Sequence, residues 1–154
     1  MTTESRVGRS CAAGRHRLCR IQVGTDMVSV SDVSDSLNRF GKRYVQRLFT
    51  ADEAAYCRAA TGRAAAERFA VRFAAKEAVF KALQPDEPPG DWRAIEVRRR
   101  LTGQCEIVLH GEWAALARRH GVESLALSMS HDHDRAIAVV VAHVNVHTHP
   151  TRSV

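Results

Sequence analysis

The sequence predicts an α+β fold: a single small domain in which an antiparallel sheet packs against one long helix and shorter helices. Segments with the apolar alternation of strands lie near both ends of the chain, and most helical patterns are grouped between them. This order, β-α-α-α-β-β-α-β-β, differs from the regular strand–helix alternation of a doubly wound parallel sheet. The 154 residues are enough to bury one hydrophobic core.

The first elements are short and are separated by glycines. Ile21–Val23 predicts a strand that reaches a turn at Gly24 and stays extended from Met27 to Val30. Ser31–Phe40 predicts a short polar helix that ends at Gly41.

The central part of the chain predicts two helices. Thr50 and Glu53 have the spacing of a capping box, and a helix over Ala54–Ala60 follows them. The longest helix is predicted over Ala64–Leu83. Three of its aromatic side chains lie within about 40° of one another on the helix surface, which indicates a stripe that packs in the core. These residues are Phe69, Phe73 and Phe80.

The second half of the chain predicts four strands and one helix. Ile95–Arg100 and Cys105–His110 have the pattern of a hairpin, and Glu112–His120 has apolar residues at helical spacing. Residues 125–129 alternate as a half-buried strand does. Ala136–Ala142 is a continuous apolar run bounded by charges, which is typical of a central strand.

The positive charge of the chain lies mostly outside the predicted domain. The chain has 23 Lys and Arg against 17 Asp and Glu, a net charge of +6, and five of the arginines lie in the first 20 residues. We therefore divide the chain into a basic, disordered tail at 1–19, a domain at 20–143 and a second tail at 144–154. The domain is nearly neutral, so nucleic-acid binding is not favoured. That alternative predicts steeply salt-dependent binding that is lost when the basic tail is removed.

The cysteines and the hydropathy indicate a cytoplasmic protein without a membrane partner. No apolar run approaches the roughly 18–20 residues that span a bilayer, and the basic start of the chain lacks the apolar stretch of a secretory signal. The cysteines are scattered without a C-x-x-C pair, which favours reduced thiols over a disulfide framework. They are Cys11, Cys19, Cys57 and Cys105.

Charged residues on the long helix form the first candidate site. Arg68, Arg72 and Lys76 recur every four residues. Glu77 and Lys81 form a second pair with this spacing on the other flank of the phenylalanines. One interpretation is a solvated helix face. The other is that the cations bind phosphate groups and that Glu77 offers a carboxylate to a metal.

Asp26 and His131 are the other candidates. Asp26 follows a strand and a Gly-Thr pair, so it is either a turn residue or a ligand of Mg²⁺, which takes one or two protein carboxylates. His131 lies between two strands. Three interpretations of His131 remain open: it lies in a surface turn, it forms a transition-metal pair with His133, or it acts as a general base or phosphate donor. Sequence spacing alone does not show that Asp26 meets Glu77.

Five segments carry a family resemblance when they are read in order. Val23–Val28 resembles an opening G-x-D-[IV]-V strand, and Phe69–Leu83 resembles the helix signature F-x-x-R-F-A-A-K-E-A-x-x-K-A-L. Arg47–Glu53 resembles R-x-x-T-x-x-E, Trp92–Val97 resembles W-x-x-I-E-V, and Ser128–Asp132 resembles S-[LI]-S-H-[DT]. Together, over about residues 21–143, they resemble the AcpS-type 4′-phosphopantetheinyl transferases, the holo-acyl-carrier-protein synthases.

The resemblance implies an activity and an assembly. Members of this family transfer 4′-phosphopantetheine from coenzyme A to a serine of an apo acyl carrier protein, depend on Mg²⁺ and release 3′,5′-adenosine bisphosphate. We expect carriers of the fatty-acid or polyketide type, but the physiological carrier and the tolerance for acyl-coenzyme A stay open. The family is typically homotrimeric with the site between subunits.

The resemblance also assigns roles to residues. By position, Asp26 and Glu77 correspond to metal ligands, and Glu77, Lys81 and His131 to catalytic residues. Arg72, Lys76, Lys81 and His131 correspond to residues along the coenzyme site.

Three departures from the family pattern concern carrier docking, at Ser29 and Asp32, and backbone contacts to the coenzyme, at the loop after the long helix. Ser29 and Asp32 stand where the family commonly has an acidic residue and a carrier-docking arginine, and an Asp there would repel an acidic carrier. The loop Gln84–Gly90 replaces a glycine-rich loop. Docking through other basic residues is the alternative; these are Arg39, Lys42, Arg43 and Arg47. A rival interpretation is a homologue that binds carriers but has lost transfer activity. The intact site residues argue against this interpretation.

Overall fold

The computed structural model describes residues 18–87 and 89–146 and shows an α+β domain, as predicted. A 3₁₀ turn at Trp92–Ala94 follows the third helix, and no peptide bond in the described residues is cis. The strands and helices, in chain order, are β1 (Leu18–Ser29), α1 (Val30–Leu48), α2 (Ala51–Arg58), α3 (Gly62–Leu83), β2 (Ile95–Arg99), β3 (Cys105–Leu109), α4 (Gly111–Arg119), β4 (Val122–Asp132) and β5 (Arg135–Val146).

Two antiparallel sheets are present in these residues. The larger has the order β1-β5-β4, so that β5 is central, which confirms the interpretation of the apolar run. Ala138 of β5 lies opposite Asp26 of β1 on one side and Met129 of β4 on the other. The smaller sheet is the predicted hairpin of β2 and β3. Ile95 lies opposite Leu109, and a short turn joins the two strands.

The long helix α3 packs across the inner face of the larger sheet. Its sheet-facing side is built of small residues, which are fully buried and let the helix approach the strands closely. The aromatic stripe is confirmed as core: Phe69 is buried, while Phe73 and Phe80 pack against Trp92. The small sheet-facing residues are Ala74, Ala75, Ala78 and Ala82.

One of the two predicted glycine signals was wrong. Gly24 does not make a turn but lies inside the continuous strand β1. Gly41 has non-helical angles, φ 51° and ψ −124°, so the first helical segment ends there as predicted, and a second segment continues beyond the kink to Leu48. A glycine permits an unusual backbone angle or a close approach, and at Gly24 only the tertiary structure decides which one is used.

The predicted domain boundaries differ slightly from the strands. β1 begins at Leu18, and β5 extends to Val146, where the two residues lie opposite each other. Residues 144–146, predicted as tail, are therefore part of the sheet. The remainder of the two predicted tails, 1–17 and 147–154, lies outside the described residues. Among the helices that the structure describes, none is long and apolar enough to cross a membrane.

Candidate active site

The site is built where β1 meets α3. Alternate residues of β1 face the helix, so Gly24 and Asp26 share that face. Gly24 has no side chain, and a Cβ there would lie 1.9 Å from the carbonyl oxygen of Ala78. The close contact brings Asp26 to Lys81, whose Nζ donates a hydrogen bond of 2.7 Å to Asp26 Oδ1. The structure thus joins two residues that are far apart in sequence.

Glu77 lies one helical turn before Lys81 and completes the cluster. Partial burial raises the pKa of Glu77, and the negative charge of Asp26 raises it further, while Lys81 acts in the opposite direction. The hydrogen bond to Asp26 raises the pKa of Lys81. Two carboxylates beside one ammonium repel each other, because a single lysine neutralises only one of them. This arrangement favours a further cation.

The donor set fits a magnesium ion better than a transition metal. In the part of the chain that the structure describes, no three His, Cys, Asp or Glu side chains are grouped to hold a metal. Zn²⁺ normally has three or four such ligands, whereas Mg²⁺ uses one or two carboxylates and fills its remaining positions with water and phosphate. Asp26 and Glu77 provide that number.

His131 lies away from this cluster within one chain. It is on β4, and its Nδ1 is 3.8 Å from Oε2 of Glu67 near the beginning of α3. Glu67 precedes Glu77 by roughly 15 Å along the helix axis. The imidazole is about half exposed, with 48% of its side-chain surface accessible. The structure therefore does not bring His131 to the carboxylates of the same chain.

The interpretation of Arg68, Arg72 and Lys76 as a solvated helix face is wrong, because Lys76 is completely buried. Its Nζ donates to Oε2 of Glu53 at 2.9 Å and to the carbonyl oxygens of Trp92 and Ile95. Burial lowers the pKa of Lys76, and the Glu53 carboxylate opposes the shift. An ammonium group has three donors, and all three have protein acceptors here. Lys76 has no free donor for a coenzyme phosphate.

Arg72 is also buried, with 3% of its surface exposed, and it lies on a different side of α3 from Glu77. Its guanidinium lies 4.3 Å from the ring centroid of Tyr56, and its Nη1 donates to the carbonyl oxygen of Arg68. At about 100° per residue, Arg72 and Glu77 are separated by roughly 140° around the helix. Of the predicted coenzyme-binding cations, only Lys81 lies at the carboxylates.

Sequence reasoning missed the role of Glu53. The capping box with Thr50 is confirmed, but the same carboxylate also accepts from Lys76 and from the backbone amide of Val97. A buried lysine needs such a partner, and the spacing of charges on one helix does not show which distant segment provides it. The Thr-x-x-Glu signal was the one sequence feature that pointed to Glu53.

A basic surface lies on the second half of α1. The four basic residues proposed for docking are exposed. The guanidinium of Arg39 stacks over the ring of Phe40, with its Cζ atom 5.1 Å from the ring centroid, and Phe40 is itself 49% exposed. Asp32 is exposed in the first turn of α1, and Ser29 caps that helix by accepting from the amide of Asp32. The departures at these two positions therefore lie on the surface at the start of the helix.

Similarity to known proteins identifies the family of this chain. The model of the 4′-phosphopantetheinyl transferase superfamily matches residues 22–140. The chain is 40% identical over 106 residues to a holo-[acyl-carrier-protein] synthase of Koribacter versatilis, an alignment that covers 68% of this chain and 83% of the relative. It is 42% identical over 99 residues to the synthase of Paramagnetospirillum magneticum, covering 64% and 74% of the two chains.

Solved structures show the same fold. A coenzyme A complex of the synthase from Chronobacterium ammoniagenes superimposes with a TM-score of 0.72 at 31% identity, over 82% of this chain and 99% of the other. The synthase from Neisseria meningitidis gives a TM-score of 0.70 at 29% identity, over 79% and 96%. With the family signature along most of the domain and the fold in agreement, this chain belongs to the 4′-phosphopantetheinyl transferase superfamily.

Proposed function

We propose that this enzyme transfers 4′-phosphopantetheine from coenzyme A to a serine of an apo acyl carrier protein and releases 3′,5′-adenosine bisphosphate. The observation that carries the proposal is the cluster of Asp26, Glu77 and Lys81, which the fold assembles from β1 and α3. Its relatives are named holo-[acyl-carrier-protein] synthases, and one structural relative is a coenzyme A complex.

Asp26 and Glu77 would hold the Mg²⁺ on which the reaction depends. When bound, the ion neutralises charge on the pyrophosphate and lowers the pKa of a bound water. Lys81 has half of its side-chain surface accessible, so its ammonium reaches a phosphate without leaving Asp26. Phosphoryl transfer needs positioning and charge neutralisation, and these three side chains provide both.

We propose that His131 acts at the site of a neighbouring subunit in a homotrimer. The imidazole is accessible but distant from the carboxylates of its own chain. The outer face of the larger sheet supports the assembly, because it exposes Ile21, Val23 and Met27 by 56–59% of their surfaces. Contiguous apolar surface of this kind typically marks an interface.

The carrier would dock on α1. Acyl carrier proteins of fatty-acid and polyketide synthesis present acidic helices, and we propose that the exposed basic residues of α1 bind them. Free thiols at Cys19, Cys57 and Cys105 are consistent with our proposal of a cytoplasmic location.

Mass spectrometry of a carrier protein tests the proposed reaction. An apo carrier incubated with this protein, coenzyme A and Mg²⁺ should gain the mass of phosphopantetheine. Glu77→Gln and Asp26→Asn should each lower the rate at least about 100-fold, because they remove negative charge that holds the cation. Glu112→Gln is the matched control, since Glu112 is exposed in the first turn of α4. Failure to modify any of several carriers would refute the transferase, and full activity of Glu77→Gln would refute the metal assignment.

A second experiment concerns docking. Asp32→Arg should speed modification of an acidic fatty-acid carrier by about tenfold, because a repulsive contact becomes attractive. Asp35→Arg, one turn further along the same helix, controls for general electrostatic steering. An unchanged rate for Asp32→Arg would remove this residue from the interface, and equal acceleration in both variants would show that the effect is not local.

A further inference from the structure

His131 and Glu67 meet where the inner face of the larger sheet ends. His131 lies on that face of β4, two residues after Met129, which packs against the core. Glu67 lies on the sheet-facing side of α3, because at about 100° per residue it falls within about 20° of Ala74 and Ala78. The alanine stripe of α3 thus has a carboxylate near its beginning. Oε2 of this carboxylate lies 3.8 Å from Nδ1 of His131.

The two oxygens of Glu67 face different partners. Nε of Arg63 donates to Oε1 at 3.0 Å, and Nη2 of Arg63 donates to the carbonyl oxygen of His133. Arg63 therefore holds both the carboxylate and the turn between β4 and β5. Within the part of the chain that the structure describes, Oε2 accepts no hydrogen bond, so it is available to the imidazole of His131. Only 20% of the Glu67 side chain is exposed, which limits competition from water.

The two ring nitrogens of His131 have different surroundings. Nδ1 faces the carboxylate, whereas Nε2 forms no hydrogen bond or ion pair with the described residues, and about half of the side chain is accessible. An ionised carboxylate accepts hydrogen bonds and cannot donate them, so it favours the tautomer that carries its proton on Nδ1. The free electron pair of the ring is then on Nε2, the nitrogen that a substrate can reach.

We propose that Glu67 is a positioning residue for His131, which holds the proton on Nδ1 and leaves Nε2 as the base for the carrier serine. The inference rests on the proposed function, with His131 as a base at the site of a neighbouring subunit. A base that is oriented by a third group is a recurrent way to activate a hydroxyl nucleophile. Such contacts are often long without substrate and shorten when it binds. Because both residues belong to one chain, the subunit that contributes the base also contributes its carboxylate.

The proton transfer explains why a carboxylate is useful here. Nε2 takes the proton of the serine hydroxyl while the serine oxygen bonds to the β-phosphorus of coenzyme A. The bond from that phosphorus to the bridging oxygen breaks, and its electron pair leaves with 3′,5′-adenosine bisphosphate. The ring of His131 then carries a positive charge, which the adjacent carboxylate offsets. Glu67 touches neither the serine nor the phosphorus, so its role is to position the base.

Nitrogen-15 NMR of the histidine rings tests the pairing without coenzyme or carrier. His131→Ala identifies the signals of this ring. The natural protein should hold mainly the tautomer with the proton on Nδ1. Glu67→Gln should move the ratio of the two tautomers about tenfold toward a proton on Nε2, because the charge-assisted bond is lost. Arg63→Gln is the control: it removes the neighbouring ion pair but keeps the carboxylate, so the tautomer should stay as in the natural protein.

Carrier modification followed by mass spectrometry tests the consequence for catalysis. Glu67→Gln should lower kcat about tenfold and leave KM for coenzyme A within about twofold. In the His131→Ala background the same change should cause no further loss, because the two residues act as a unit. Glu112→Gln, exposed on α4, should keep the full rate.

Three results would overturn the role of Glu67: an unchanged tautomer ratio in Glu67→Gln, full activity of His131→Ala, or a further loss of rate when Glu67→Gln is added to His131→Ala. Failure of the proposed transferase is distinguishable from these results. It would appear as an absence of carrier modification by the natural protein, whereas the NMR measurement reports on the pair of side chains in either case.

Discussion

Among single residues, Gly24 shows how a missing side chain positions a functional one. A Cβ at this position would also lie 2.5 Å from the amide nitrogen of Ala82, so it would touch two turns of α3. These are backbone atoms, which a rotamer change cannot move. Asp26 and Glu77 are held at their present separation because β1 and α3 meet at this residue.

Gly24→Ala should therefore lower the free energy of unfolding by about 3 kcal/mol, the upper range for overpacking a close contact. It should also weaken Mg²⁺ binding, because the helix carrying Glu77 must move away from Asp26. Urea denaturation and calorimetry with Mg²⁺ measure the two effects. Gly90→Ala is the control, since a Cβ there meets no atom within 4 Å. Equal stability of both variants would contradict the role of Gly24.

Gln84 is a residue at which the local sequence opposes the structure. It ends α3 in the left-handed region with φ 44°, where glycine is preferred. Gln84→Gly should raise the free energy of unfolding by about 1 kcal/mol, because the backbone strain disappears. Gln46→Gly, on the exposed surface of α1, should lower it by about 1 kcal/mol. Thermal denaturation compares the two, and a loss of stability in Gln84→Gly would refute the argument.

The site residues show what a sequence can predict at this scale. The family signature identified Asp26, Glu77 and Lys81, and the structure brings them together. The same signature assigned Arg72 and Lys76 to residues along the coenzyme site, and the charge spacing was compatible with cations that bind phosphate groups. They are buried instead, because their partners come from α2 and β2, and no pattern within one helix contains that information.

At the scale of elements, one carboxylate connects the β4–β5 turn to the beginning of α1. Oδ1 of Asp134 accepts from the amide of Ser31, and Oδ2 accepts from the hydroxyls of Ser29 and Ser31. The backbone amide of Val30 donates to the carbonyl oxygen of Asp134. Hydrogen bonds from Ser29 and Ser31 lower the pKa of Asp134. The turn thereby fixes the point at which the chain leaves β1 and enters α1.

This connection should depend on pH. A carboxyl whose pKa is lower in the folded state stabilises the fold above its ordinary value of about 4, and the contribution is lost as pH falls through the folded value. Asp134→Asn should therefore be less stable than the natural protein at pH 7, with a difference that shrinks toward pH 3. Urea denaturation at both pH values measures it.

Asp132→Asn in the same turn is the control. The side chain of Asp132 is almost fully exposed and hydrogen-bonds to its neighbour His133, so this change should have little effect at either pH. A stability difference for Asp134→Asn that is the same at pH 3 and pH 7 would show that the carboxylate charge is not responsible.

The elements themselves were largely predictable, because apolar periodicity is a local property. The hairpin, the helices α2 to α4 and the central strand all lie within a few residues of their predicted bounds. The break at Gly41 was predicted. Gly24 was misread as a turn, since its close contact with α3 depends on a distant part of the chain.

At the scale of the whole molecule, the outer face of the larger sheet is the interface that we propose for the trimer. Val23 lies opposite Val141 of β5, and it is exposed although it is apolar. Val23→Lys should convert the proposed trimer to monomers, because a charge in an apolar interface is costly. Transfer activity should fall with it if the site lies between subunits.

Sedimentation velocity measures this assembly. Leu101→Lys is the matched control, since Leu101 is fully exposed in the turn of the hairpin and lies away from the face. A natural protein that sediments as a monomer, or a Val23→Lys variant that remains trimeric, would rule out this face as the interface.

The pairing of β1 with β5 has a consequence for the order of biosynthesis. Within the described residues, β5 is the only strand that pairs with β1, so the strand that carries Asp26 is made early and finds its partner strand last. At roughly 5–20 residues per second, β1 waits on the order of ten seconds on the ribosome before β5 is translated. The helices depend on local contacts and form first. The cluster of Asp26, Glu77 and Lys81 is thus among the last features of this protein to assemble.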